Sequence, residues 1–250
     1  MGAGVRLLAL FAGALLTACV TTGPPPLNKA NPKEAARLNT QLGIEYLRDG
    51  RFDLAREKLE RAIEQDSRNS VAHSFLAFLH SRSGETKLAE RHFQRALSLD
   101  NENPDTLSNF GIFLCGQGRR EEAEQYFIRA ANAPQYTRAA AAYTNAGVCL
   151  LQHAPERAEF YLREALRTNP EFGGALAQMA SLSLRRGDYL RARAFLQRYE
   201  AGSPHIAETL WIGVQTEREL GDEEAAERYA RMLRENFPES DEAQQLGRPS

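Results

Sequence analysis

Large and reactive side chains are scarce in this 250-residue chain, which has one Trp, three Met and three Cys. Three thiols are too few for a disulfide scaffold, and an odd count sets one of them apart. Neither sign of charge dominates: 31 basic residues stand against 33 acidic ones, for a formal net charge of -2. No net field therefore draws nucleic acid or an acidic surface. The apolar stretch Leu7 to Leu16 is short of the ~20 residues that cross a ~30 Å hydrocarbon layer as a permanent helix. No H-E-x-x-H run and no Cys/His spacing suited to zinc occurs, so no metal, cofactor or small-molecule substrate is expected. With 42% hydrophobic and 26% charged residues, the chain has an ordinary globular composition and can bury a sizeable core.

The thiol set apart is Cys19. Arg6 precedes the apolar stretch, which breaks into Thr17, Ala18 and Cys19. This is the layout of a secretory leader. Leu16-Thr17-Ala18-Cys19 also resembles the bacterial lipobox, whose cysteine accepts a diacylglycerol; the alternative is an ordinary signal peptide with an incidental cysteine. Two or three acyl chains hold a protein on a bilayer far more firmly than one. Val20 follows the cysteine, in place of the Asp associated with inner-membrane retention. The expected location is thus the outer membrane, periplasmic face. Thr21 to Pro32 carries Pro24, Pro25, Pro26 and Pro32 and reads as an extended tether.

From Ala36 onward apolar residues recur at helical spacing, without strand alternation. Small residues stand at Ala55, Ala89, Ala123, Ala158, Ala192 and Ala226, spaced 34, 34, 35, 34 and 34 apart. A second series, Gly43, Ala77, Gly111, Gly147, Ala180 and Gly213, runs 34, 34, 36, 33 and 33. A unit of 34 residues with small side chains at its eighth and twentieth positions resembles the tetratricopeptide repeat. The fold implied is all-α: a right-handed superhelical solenoid of antiparallel helix pairs. Small residues let the two helices of a pair cross closely, and Leu42, Tyr46, Leu59, Leu76, Phe93, Phe110 and Phe127 are expected around the crossings. Gly50, Gly84, Gly118, Gly187 and Gly221 fall between helices, where positive φ is commonly needed. Pro170, Pro204 and Pro238 stop second helices. The expected organisation is leader 1–18, tether 19–35, repeats 36–69, 70–103, 104–139, 140–172, 173–205 and 206–239, and tail 240–250. Repeat four departs most, with His153-Ala154-Pro155 in place of a Gly turn and extra residues around Pro134 to Thr137.

Each candidate for chemistry has a plainer account. His73 and His80 occupy repeat positions where large core residues belong, and His92, His153 and His205 stand alone in the sequence. Glu121, Glu122 and Glu124 open a helix, where carboxylates favour the dipole. Arg186-Gly187-Asp188 falls at an inter-helix turn, and Gly116-Gln117-Gly118 is too short for a phosphate loop. Cys115 and Cys149 say more. They lie on the first helices of repeats three and four, offset by two positions, so at ~100° per residue their side chains point ~160° apart. Facing Cα atoms of parallel helices ~8–10 Å apart come within disulfide range. An oxidising compartment then favours a bond; otherwise they are two small buried hydrophobes.

Stacked helix pairs expose a concave surface built by first helices. Ile44, Leu47, Val71, Phe78, Ile112, Val148 and Leu151 form an apolar stripe there, with Arg48 and Arg82 beside it. A stripe at helical spacing is more often core, but these positions are distinct from the core positions four, seven, eight and eleven. As a groove, the stripe suits an extended or helical segment of a partner protein.

Nearly everything after the leader resembles the tetratricopeptide lipoproteins of type IV pilus biogenesis, the PilF/PilW pilotins. The resemblance rests on the lipobox, the tether and the six repeats. It rests more narrowly on Asn109-Phe110-Gly111-Ile112-Phe113-Leu114-Cys115, Asn145-Ala146-Gly147-Val148-Cys149 and Asn236-Phe237-Pro238-Glu239-Ser240. It implies an outer-membrane lipoprotein, without enzyme activity, that binds the pilus secretin subunit and supports its assembly into the ring through which the pilus emerges. A periplasmic adaptor for outer-membrane protein insertion or for cell-wall machinery is the other scaffold reading. A hydrolase or metal-dependent enzyme finds no coherent site.

Overall fold

The computed structural model describes residues 31–247; Cys19, the expected leader and most of the expected tether lie outside the described residues. Six helical hairpins follow one another: Pro32–Arg48 (α1) with Phe52–Gln65 (α2), Ser70–Arg82 (α3) with Thr86–Leu99 (α4), and Pro104–Gly116 (α5) with Arg120–Ala131 (α6). Then come Ala139–Leu150 (α7) with Pro155–Thr168 (α8), Gly173–Arg185 (α9) with Tyr189–Glu200 (α10), and Ala207–Glu219 (α11) with Glu223–Asn236 (α12). A short helix, Asp241–Gln245 (α13), closes the described chain. First helices touch one another in sequence from α1 to α11, and each second helix also packs on the first helix of the following pair. This is the tetratricopeptide superhelical solenoid.

Sequence dictates the hairpins at their turns and crossings. The five inter-helix glycines, Gly50, Gly84, Gly118, Gly187 and Gly221, have φ between 71° and 76°, a region that side chains with a Cβ disfavour. At the crossing of α5 and α6, a Cβ on Gly111 would lie 2.7 Å from Phe127 Cε1, so only glycine admits that ring. The six repeat alanines, Ala55 to Ala226, are at most 2% exposed.

Three expectations are corrected. Pro32 opens α1 instead of extending the tether: Asn31 Oδ1 accepts the Lys33 N–H at 3.1 Å, and a first-turn proline sacrifices no helical hydrogen bond. Leu42 is 47% exposed, although Leu76 and Phe110 at the same repeat position are buried. That position fills the seam to the preceding repeat, as Phe110 does against Phe93 at 5.2 Å, and nothing precedes repeat one in the described structure. The sixth repeat sits one residue late: the other Gly turns that close a hairpin follow their small residue by seven positions, which from Gly221 leads back to Val214 and not Gly213. Gly213 is nevertheless essential to packing, since a Cβ there would lie 2.7 Å from the Tyr229 ring. The tail packs too, because Ala243 and Leu246 join Phe237 on the cluster of Leu210, Val214, Tyr229, Ala230 and Leu233.

A second pattern holds neighbouring repeats in register. The residue after each of the first five repeat alanines is charged and reaches the next hairpin. Arg56 meets Glu85 at 3.5 Å, Glu90 meets Arg119 at 2.6 Å, and Glu124 meets Arg157. Glu159 meets Arg191 at 2.9 Å and also Arg186, while Arg193 meets Asp222 at 3.4 Å and Glu217. In the sixth repeat the corresponding Glu227 pairs with Arg234 of its own helix.

Candidate functional site

The concave face is laid down by α1, α3, α5 and α7, and the structure sorts its expected residues into two kinds. Ile112 and Val148 are openly exposed, at 48% and 47%, on the neighbouring first helices α5 and α7. Ile44, Val71 and Phe78 are half-buried. Leu47 and Leu151 are half-buried because each also packs on a core cluster, Leu47 on the one that holds Ala55, Leu59 and Leu76, and Leu151 on the one that holds Leu162 and Met179. Those two leucines therefore serve the core as much as the surface.

The exposed pair has a rigid floor. Cys115 and Cys149 are joined in a disulfide with Cα atoms 5.8 Å apart, tying α5 to α7 one turn from Ile112. Cys149 belongs to the cluster of Phe93, Phe110, Phe113 and Phe127 and Cys115 packs against it, so the patch rests on the core. Of the basic residues beside the stripe, Arg48 pairs with Glu45 at 2.8 Å. Arg82 lies over the Phe52 ring at 4.4 Å and near the Phe78 ring at 6.0 Å. Arg82 makes no ion pair among the described residues, so stacking aims its charge without neutralising it.

The remaining candidates resolve into structural roles, with one exception. Glu121 and Glu122 lie in the first turn of α6. Glu124 accepts the Tyr161 hydroxyl at 2.6 Å; burial, helped by this carboxylate, pushes that phenol up to about 12. Arg186 pairs with Glu159, Gly187 makes the turn, and Asp188 caps α10. His153 is exposed, and His205 lies between the Tyr199 and Tyr229 rings, at 5.8 and 5.9 Å. The exception is His92, which does not stand alone: its Nδ1 is 3.0 Å from that of His73 and its ring stacks on His80. Helical spacing brings His73 and His80 to one face, but only the hairpin crossing brings α4 to them, so sequence reading missed the third ring. No group of three or more His, Cys, Asp or Glu among the described residues is arranged to hold a metal ion. No helix among the described residues is long and apolar enough to cross a membrane.

Comparison with known proteins agrees with this architecture. A tetratricopeptide repeat family model matches residues 40–104. The type IV pilus assembly protein PilF of Pseudomonas aeruginosa is 32% identical over 246 residues, covering 97% of this chain and 98% of that one. The chain belongs to the PilF family of type IV pilus assembly proteins. The solved structure of Pseudomonas aeruginosa PilF superposes with a TM-score of 0.75 at 30% identity, covering 86% of this chain and 97% of that one. PilW, described as a widely conserved type IV pilus biogenesis factor, superposes with a TM-score of 0.74 at 29% identity, covering 84% of this chain and 97% of that one. Within this PilF-family chain, the tetratricopeptide match spans the first two hairpins. The irregular fourth turn, the late sixth repeat and the Cys115–Cys149 bond lie beyond it.

Proposed function

We propose that this PilF-family protein is an outer-membrane lipoprotein, anchored at Cys19 on the periplasmic face, whose concave surface binds the pilus secretin subunit and promotes its localisation and multimer assembly. The observation that carries the reading is a family match along nearly the whole chain, together with an exposed apolar pair, Ile112 and Val148, held on a disulfide-tied floor. Exposed apolar side chains on a rigid concave face are what a partner segment buries. The role is that of a scaffold and not an enzyme.

The pair also supplies the cleanest test. Leu47 is a poor probe because a charge there disturbs the core it packs on; Ile112→Glu and Val148→Glu place a carboxylate on exposed positions, where only a bound partner would desolvate it. Helical content, abundance and the disulfide should survive, while secretin co-purification and detergent-resistant multimers should be lost. Glu64→Lys, exposed on α2, is the control; Glu90 is unsuitable because it pairs with Arg119. Normal secretin binding by both groove variants would overturn the assignment. Cys19→Ser should release the protein from the outer-membrane fraction, and retention there without another partner would overturn the anchor.

A further inference from the structure

The second hairpin holds three imidazoles in one pocket. His73 and His80, on α3, are each 7% exposed, and His92, on α4, is half-buried between them. Ring centroids are 5.2 Å apart for His73 and His92 and 5.3 Å apart for His80 and His92.

The partners dictate where the protons sit. The Ser67 carbonyl, 3.3 Å from His73 Nε2, can only accept, so that nitrogen carries the hydrogen and His73 Nδ1 is a bare acceptor. His92 Nδ1, 3.0 Å away, must then donate to it. One arrangement of neutral rings satisfies this link. A proton added to His73 Nδ1 sets two N–H groups against each other as long as His92 keeps its hydrogen on Nδ1. A proton added to His92 is opposed by burial and by the charge of Arg91.

Every element around the pocket brings charge. Helix α2 brings Arg56, whose Nη1 is 3.2 Å from His80 Nδ1, and α4 brings Arg91 and Arg95. The turn between α3 and α4 brings Glu85, whose carboxylate lies 2.7 Å from His80 Nδ1 and 3.5 Å from Arg56. Among the described residues, the carboxylate at the pocket is therefore engaged by His80 and Arg56, and none pairs with His73 or His92.

We propose that the His73–His92 hydrogen bond is an acid-sensitive latch between α3 and α4, and that its protonation loosens the second repeat, including Val71 and Phe78 of the concave face. Burial, with the field of Arg95, lowers His73, and burial, with the neighbouring His73, His80 and Arg91, brings His92 down to about 4. Both folded values lie below the ~6.5 of an open chain. Above that value neither state binds the protons and the latch is whole. As pH falls below it, the open state takes up protons that the closed state refuses, so opening grows easier until about pH 4. The effect on partner binding rests on the function proposed above, whereas the latch itself does not.

Amide hydrogen exchange of the full chain at pH 8 and pH 5, corrected for intrinsic rates, tests it. The opening constant of α3 and α4 should rise about ten- to thirtyfold relative to α9 and α10, which carry no histidine. His92→Asn keeps a donor toward His73 but does not titrate, so the rise should shrink to the part that His73 alone supplies. A pH-independent α3–α4 opening in the wild-type chain, or a His92 resonance titrating at ~6.5, overturns the latch and needs no variant. Binding separates the two claims. Secretin capture equal at pH 8 and 5, but abolished by Ile112→Glu, leaves the groove standing and removes the latch's effect on it. A pH-dependent opening with no secretin capture at any pH upholds the latch and overturns the proposed function.

Discussion

The two ends of the solenoid solve the same problem differently. At the C-terminal end, Ser240 caps α13, and Ala243 and Leu246 cover the last hairpin beside Phe237. At the N-terminal end, Leu38 and Leu42 of α1 remain 48% and 47% exposed, whereas Ala72 and Leu76, one repeat later, are 0% and 3% exposed. A repeat position names a place in the unit, and only a neighbouring unit turns that place into core. Terminal repeats are where this distinction becomes visible.

The sharpest test of that contrast compares one residue type at one repeat position. Leu76→Ala should destabilise by ~3 kcal/mol, as a large buried truncation does, while Leu42→Ala should change urea-unfolding stability by less than ~0.5 kcal/mol. Equal losses would show that the N-terminal end is covered in solution. Next in size, reducing Cys115–Cys149, which closes a separation of 34 residues, should cost ~2–3 kcal/mol. A broader transition should accompany the loss, because the staple joins the middle repeats and the two ends would then melt more independently. Removing residues 241–250 should cost ~1–2 kcal/mol in lost apolar burial, with faster hydrogen exchange confined to α11 and α12. Smallest is an effect remote from either end. Burial alone would raise the Glu159 carboxyl, but hydrogen bonds from Arg186, Arg163 and Arg191 outweigh it and bring it to about 2. Its stabilisation is complete above ~4.5 and lost as pH falls toward 2, so wild type should fall relative to Glu159→Gln over that range by ~1 kcal/mol. An identical acid profile for the two would remove the ion cluster from the account.

Periodicity made the hairpins legible because a close crossing tolerates only small side chains, and a hairpin turn at positive φ favours glycine; Ala55, Gly111 and Gly84 announce themselves. The cysteine pair was legible for a related reason, since helical angle alone sets which way a side chain points. What periodicity cannot carry is a shift of one residue. The sixth repeat exchanges large for small across its crossing, with Val214 at the small position and Ala230 where other repeats place Leu or Phe, and Gly213 imitated the missing small residue. Nor could it carry contacts between helices whose partners differ from repeat to repeat, which is why His92 looked solitary. For the concave face, spacing gave the right helices but not the burial, because Leu47 and Leu151 lean into the core while Ile112 and Val148 do not. The charges after the repeat alanines were readable throughout; their meaning depended on seeing the turn of the following hairpin beside them.

Those charges have a consequence for the order of the units. Exposed ion pairs contribute only ~0–1 kcal/mol each, so their weight lies in which mismatches they forbid. A chain that skipped repeat two would set Arg56 against Arg119, and one that skipped repeat five would set Glu159 against Asp222 and Glu217. Skipping repeat three or four leaves a carboxylate facing an arginine, as Glu90 would face Arg157 and Glu124 would face Arg191. The outer interfaces are therefore addressed while the inner ones are interchangeable. Among the internal units, loss would be accommodated electrostatically only for repeats three and four.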